Sequence, residues 1–431
     1  MMGAGGSTSR LVAIACCALA TCVAGFARAD EATPTPGPFA GDSPNFVHRD
    51  EDMALNPAYG AFHGNWVALS VHGAESQDSW SGGQWDDWLA HGGIAGSIPI
   101  GTTASETKWS ALVSIGEGRA EWLGSSSGSY QTLTGTESYA SQSSETVRSG
   151  AETFGISLAS GNFMAAIVGG YRHDDAERAW TWAESNAPPL TPTPTWWYDH
   201  GFNSELETGV ARTRSLAGGI LWTGARGFAA DANVGYRDIH FEGAGYSTMC
   251  RDSICWSNGG ERDFRQRRLD VGGSAHWNYS RFRVRIQANG SWNRTSSQTG
   301  YPSCYIAADG WRICPWESDR ALGLSTAIAG DVSGHDTWLI ASPKLRLTDY
   351  YYSTRCSLSL AAEQGMWRRQ IWLALRAGRD LRFSYWYDQS LSVEARWVVT
   401  PNVTVDGSAF TSTQGILWDA VHLRAGAQFT W

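Results

Sequence analysis

The residues best placed to do chemistry fall into two groups. Cys250 and Cys255 lie close together in one polar stretch, and Cys304 and Cys314 in another. Neither stretch contains histidine, and Cys250-x4-Cys255 is not the spacing of a zinc finger, so a metal site is disfavoured. Local disulfides are the expected chemistry, although four cysteines also permit cross-pairing between the two stretches. The second group is a set of charged side chains in the middle of otherwise alternating segments. It comprises Asp231, Arg237, Arg268, Asp270, Arg281, Arg283, Arg285, Lys344, Arg346, Glu363, Arg376, Glu394, Arg396, Asp406 and Arg424. Charge rings of this kind set selectivity in a wet pore. The same residues would equally brace a barrel wall or hold a plug. No nucleophile elbow, HExxH or P-loop motif is present, so no catalytic residue and no cofactor is expected.

The elements that position these residues read as strands. In Arg281–Asn293, Phe282, Val284, Ile286, Ala288 and Trp292 share one face, and Arg281, Arg283, Arg285, Gln287, Asn289 and Ser291 the other. Asp263–Asn278, Phe228–Arg237 and Leu391–Val399 alternate in the same way. A polar face carrying arginine at mid-strand suits a closed barrel in lipid, with the apolar set outward and the polar set in the lumen. After the first 29 residues no apolar run approaches the length of a spanning helix, which excludes a helical membrane protein.

Short connections (Ser160-Gly161, Thr223–Arg226, Tyr279-Ser280, Ser333–Asp336, Thr400-Pro401) alternate with long ones (Glu117–Arg148, His173–Gly209, Phe241–Arg262, Thr295–Glu317). This is the pattern of short periplasmic turns and long external loops. Trp109, Trp222, Trp277, Trp397 and Trp431 lie on the outward parity near the short-turn ends, as an interfacial aromatic girdle would. Tyr171, Tyr236 and Trp292 fall near the opposite ends, where a second girdle belongs.

The N-terminus reads as an export signal: Arg10, an apolar run from Leu11 to Phe26, then Ala27-Arg28-Ala29 as a small-x-small cleavage site. Cleavage there removes Arg10 and Arg28, so 33 basic residues become 31 against 42 acidic ones, a net charge of −11 that disfavours nucleic acid as a partner. Residues 30–64 show no clear period and suit a periplasmic or plug segment ahead of a barrel spanning 65–431. The last strand alternates Val421, Leu423, Ala425, Ala427, Phe429 and Trp431 with polar residues, like the terminal signature that outer-membrane proteins present to their assembly machinery.

Asp50-Glu51-Asp52-Met53-Ala54-Leu55-Asn56-Pro57-Ala58-Tyr59-Gly60 resembles the Asn-Pro-Ala segment found early in the outer-membrane long-chain fatty-acid transporter family. The resemblance implies a lumen-plugging N-terminal segment and a hydrophobic cargo, while the arginine-rich lumen departs from a greasy path. The expectation is therefore an all-β, transmembrane, antiparallel up-and-down β-barrel of 14–16 strands in the bacterial outer membrane, with an N-terminal periplasmic or plug segment. Its expected partners are outer-membrane lipid and lipopolysaccharide, the barrel-assembly machinery and a small solute. Its function is read as a passive channel for a small solute or hydrophobic compound. The alternative is a non-transporting surface barrel whose Trp-rich loops bind a partner.

Overall fold

A computed structural model describes residues 43, 45, 46, 48–78, 83–100, 107–132, 135–186, 201–251, 254–279, 281–299, 305–306, 312–313, 320–334, 336–348, 354–380, 389–412 and 421–431. Residues 1–42, where the export signal is expected, together with Cys304, Cys314 and the stretch from Ala187 to Tyr198, lie outside the described residues.

Two short helices come first, α1 (Arg49–Leu55) and α2 (Ala58–Phe62). The strands follow: β1 (Trp66–Asp78), β2 (Gly83–Ile100), β3 (Thr107–Thr132), β4 (Gly135–Ser160), β5 (Phe163–Asn186), β6 (Gly201–Thr223), β7 (Phe228–Arg251), β8 (Ile254–Asn278) and β9 (Phe282–Thr299). A small hairpin, β10 (Tyr305–Ile306) with β11 (Arg312–Ile313), stands apart. The chain continues through β12 (Arg320–Asp331), β13 (Thr337–Thr348), β14 (Thr354–Met366), β15 (Ile371–Asp380), β16 (Gln389–Thr400), β17 (Val403–Ser412) and β18 (Val421–Thr430). All except β10 and β11 form one closed barrel of sixteen antiparallel strands, each paired with its neighbours in sequence, and β1 closes on β18 with Trp66 opposite Thr430.

Closure satisfies every ladder edge, and the outward face is apolar. Val71, Phe154, Leu216, Leu322, Leu375 and Val393 project from it, each more than half exposed, as they would in contact with hydrocarbon. Trp109, Trp222, Trp397 and Trp431 are exposed at the short-turn ends, and the Trp277 ring packs beside Phe228 with centroids 5.3 Å apart. The row expected outward in β9 is outward, with no second sheet over it. Val284 is nevertheless buried, in register between Trp277 and Ile328. The short turns use left-handed backbone where expected, at Gly161 (φ 56°) and Gly334 (φ 67°).

The long loops differ from expectation. Most of Glu117–Arg148 belongs to β3 and β4, which stay paired as far as Thr132 opposite Gly135. Likewise β5 pairs with β6 as far as Glu184 opposite Gly201, and β7 with β8 as far as Arg251 opposite Ile254. In the Thr295–Glu317 stretch, β9 runs on to Thr299 and the β10–β11 hairpin follows. Strands β3 and β4 are each 26 residues long, whereas β15, β17 and β18 have 10. A membrane strand needs only about 9–11 residues, so one side of the barrel rises as a tall wall and the other stays low. Beyond the bilayer both strand faces meet water. Ser125-Ser126-Ser127-Gly128-Ser129 therefore has no reason to alternate, and the periodic signal fades while the ladder continues.

Candidate functional site in the lumen

The short-turn half of the lumen is filled by the chain's own N-terminal segment. The Asn-Pro-Ala-Tyr run caps and starts α2: the Asn56 side-chain carbonyl accepts from the Ala58 N–H at 3.0 Å. The same amide donates to the backbone oxygens of Ile220 (3.3 Å) and Ala232 (3.4 Å) and to Asp231 (3.3 Å). The Asn233 side chain donates to the Leu55 carbonyl. Such close approach needs a wall without side chains at that point, and Gly219 supplies it. Tyr59, fully buried, packs with Ala58, Leu221 and Ala229 and donates its hydroxyl to Asp231 at 3.1 Å.

His276 and Ser274 complete this cluster. The three residue types of a hydrolytic triad are present, but the geometry is that of a latch. Ser274 (2.6 Å), Asp231 (3.1 Å) and the Tyr59 hydroxyl (3.0 Å) all approach the same His276 nitrogen, Nε2. A triad needs the nucleophile on one ring nitrogen and the carboxylate on the other.

A second anchor lies across the lumen. Glu363, buried on β14, accepts from the Ser43 hydroxyl, from the Asn45 amide at 2.8 Å and from Arg376 at 3.2 Å. Arg376 also pairs with Glu394 at 3.1 Å. Arg396 donates to the Asn45 carbonyl at 2.9 Å and lies over the Phe46 ring. Arg283 reaches the Asn45 side chain at 3.4 Å and covers the Trp338 ring at 4.4 Å. Phe46 itself is buried among Trp338, Ile340, Trp372 and their small neighbours. A third contact holds α1: Arg424 pairs with Asp50 at 3.4 Å and with Glu51. Nearby, His48 stands 3.8 Å from Asp406, which also accepts from Gln428 at 3.2 Å. Burial, reinforced by Arg396, Arg424 and Arg376, pushes the His48 imidazole down to about 2, so it is neutral despite Asp406. Burial also pushes the Asp50 carboxyl up, although Arg424 pulls the other way.

The charged residues expected to line a pore therefore divide. Asp231, Arg283, Glu363, Arg396, Asp406 and Arg424 engage the N-terminal segment; Arg376 supports them through Glu363, and Glu394 through Arg376. Arg285 is buried in the same wall. Arg237, Arg268 and Asp270 remain on the lumenal face above the segment, with Arg268 bonded to Asp270 at 2.8 Å. Lys344 and Arg346 are exposed on the lumenal parity of β13. Arg281 sits exposed in the turn before β9, beside Gly334, rather than facing the lumen from within a strand. Above the segment is a cavity of about 420 Å³ bordered by Asp50, Met53, Leu55, Arg172, Arg237 and Asp270.

Sequence reasoning missed Ser43 and Asn45, whose partners are remote in the chain, and placed His276 on the polar face of its strand without a role. It flagged Asn56 and Tyr59 only through the Asn-Pro-Ala resemblance. It also missed three lumenal histidines, His72, His91 and His422, which gather beside Phe410. His72 turns Nδ1 to His91 (3.1 Å) and Nε2 to His422 (3.2 Å), so the rings do not converge on one point. Among the described residues no His, Cys, Asp and Glu side chains form a metal-binding group. Cys250 and Cys255 face each other in register near the end of the β7–β8 hairpin and are joined. Cys356 takes the outward parity of β14 with Leu358 and Leu360.

No family model matches the chain, and no curated protein matches it. Among solved structures it is similar to the P. putida toluene transporter TodX, at 8% identity over 89% of this chain and 92% of that one, with a TM-score of 0.44. It is also similar to CdiB from Acinetobacter baumannii, at 9% identity over 85% and 60% with a TM-score of 0.43. A third likeness is to the KdgM porin in complex with disordered oligogalacturonate, at 11% identity over 54% and 99% with a TM-score of 0.27. At identities this low none of the three speaks to what this barrel carries.

Proposed function

We propose that the protein is an outer-membrane channel for passive passage of a small solute or hydrophobic compound, with the segment around residues 43–64 acting as its plug. The apolar belt with flanking aromatic residues supports placement in a membrane, and the single-sheet closed topology supports a bacterial outer membrane. The observation that carries the channel reading is how the plug is held. Its anchors are mostly hydrogen bonds and ion pairs to the wall at Asp231, Glu363, Arg396 and Arg424, contacts that water and wall residues can replace if the segment shifts. The cavity above it carries Arg172, Arg237 and Asp270 beside Met53 and Leu55, a lining suited to a compound with both an apolar body and a polar group. In this reading Ser274, His276 and Asp231 hold Tyr59 and perform no catalysis.

Single-channel conductance in planar bilayers tests the proposal. The expected result is low or intermittent conductance for the mature chain and a marked rise when residues 30–64 are deleted. A deleted barrel that inserts yet never conducts would overturn the channel. It would favour the surface-protein alternative, for which the tall wall of paired hairpins from β3 to β8 offers the binding face.

A further inference from the structure

The outward face of the tall wall changes character abruptly from one residue row to the next. One row runs across four strands as Leu216, Tyr236, Leu269 and Trp292, each in register with the next and each exposed. On these four strands it is the last apolar row before charge appears, and its Tyr and Trp mark the headgroup level. The next row up, two residues further along each strand, reads Arg214, Asp238, Arg267 and Arg294. The row after that contains Arg212, His240 and Arg265. All five arginines are exposed.

We propose that this patch binds the phosphates of the outer-leaflet glycolipid, the bis-phosphorylated lipid A portion of lipopolysaccharide. The inference rests on the outer-membrane reading above and adds a ligand that the channel reading does not require. Three observations support it. First, the patch has the right height: it begins one row beyond the aromatic residues, on the side of the barrel with long hairpins, which faces outward in such proteins. Second, its charge is incompletely answered. Asp238 takes Arg265 through two hydrogen bonds and lies 3.9 Å from Arg267, and Glu242 takes Arg212 at 2.6 Å. Asp263 is engaged by His240 at 2.9 Å. Among the described residues no carboxylate lies within ion-pair distance of Arg214 or Arg294, which flank the Asp238–Arg267 pair on either side. Third, the chemistry fits: guanidinium presents a planar fork of donors matched to phosphate oxygens and is weakly enough hydrated to sit at an interface. Arginines on β6, β8 and β9 can hold two phosphates at once, while the acyl chains lie along Leu216, Leu269 and the apolar rows below.

The test uses the folded full-length mature barrel in detergent, with native mass spectrometry of lipid binding. The probes are bis-phosphorylated lipid A, monophosphorylated lipid A and phosphatidylglycerol. The variants are the triple Arg214→Gln/Arg267→Gln/Arg294→Gln and a control, Arg119→Gln/Arg148→Gln, on the outward face of β3 and β4. Heat-modifiable gel mobility and insertion into vesicles are checked for every variant. The proposal expects bis-phosphorylated lipid A to bind the wild type and the control best of the three probes. It expects the triple variant to bind it about a hundredfold more weakly, about fivefold for each charge removed at the headgroup level. Equal binding by triple variant and control, or equal binding of phosphatidylglycerol and lipid A by the wild type, would overturn the site and leave the barrel reading intact. Failure of the wild type to show heat-modifiable mobility or to insert would overturn the membrane reading itself.

Discussion

Asn56 of the lumenal segment lies directly against Gly219 of β6: a Cβ built on that glycine would fall well inside van der Waals contact with the Asn56 side-chain oxygen. The wall is bare of side chains where the plug comes closest, and the plug presents its capping residue there. The alanine variant at position 219 should therefore disturb docking without disturbing the barrel, since overpacking costs about 1–3 kcal/mol. Gly219→Ala is expected to raise conductance and expose residues 43–64 to protease. Gly218→Ala, whose added methyl would meet only an ordinary contact at 3.7 Å, should do neither. Equal behaviour of the two variants would remove the basis for this latch.

Removing the buried acceptor at the second anchor should release Ser43 and Asn45 together. Glu363→Ala leaves Arg376 paired with Glu394 and strips both N-terminal donors of their carboxylate. Breaking a buried pair from one side costs about 3–5 kcal/mol. Arg376 retains Glu394, which places the expected loss near the lower end. A cysteine introduced at position 45 should become reactive to a soluble maleimide in the Glu363→Ala background and stay protected otherwise.

Acid should loosen the plug through His48. An undocked histidine titrates near 6.5, while the docked imidazole is held far below that by burial and by three arginines. The undocked state therefore binds the extra proton. Docking is at full strength above pH 6.5 and weakens as pH falls through 6.5 and below. Asp50 works in the opposite sense, because burial raises its carboxyl and docking then favours its protonated form. The comparison with His48→Gln, which keeps Asp50, isolates the histidine's share. Conductance measured between pH 7 and pH 5 should rise toward pH 5 in the wild type and stay flat in His48→Gln. A wild-type channel indifferent to pH there would contradict this assignment.

The lipid-facing parity has its own test. Val393 projects outward from the middle of β16, while Ser392 beside it faces the lumen near Arg376. Arginine at the bilayer midplane on the lipid side of a barrel costs about 2–4 kcal/mol. Val393→Arg is therefore expected to lose roughly that much stability in denaturant titrations in vesicles, and Ser392→Arg much less. The reverse order would invert the barrel's inside and outside.

The local sequence determined the strands wherever lipid touches one face and water the other. Phe282, Val284 and Ile286 against Arg283 and Arg285, or Leu391 and Val393 against Glu394 and Arg396, read as strands because a two-residue period needs two different surroundings, and arginine at mid-strand favours a wet lumen over a sandwich. It also determined the direction of the turns, through Gly161, Gly334 and the tryptophans beside the short connections. The strand number of sixteen became definite only with the ladder, since closure depends on pairing between β1 and β18, from opposite ends of the chain.

Tertiary structure alone decided the height of the wall and the work of the lumenal charges. Past the bilayer, water wets both faces of β3 and β4, the alternation disappears, and backbone pairing continues with no sequence period to announce it. The arginines and carboxylates were visible as lumenal, but their partners Asn45, Asp50, Asn56 and Tyr59 lie 172 or more residues away from Asp231, Glu363 and Arg424 in most of these contacts. Only folding brings a short, aperiodic N-terminal segment inside the cylinder, and with it the difference between a charge that faces an open lumen and a charge that binds the chain's own N-terminal segment.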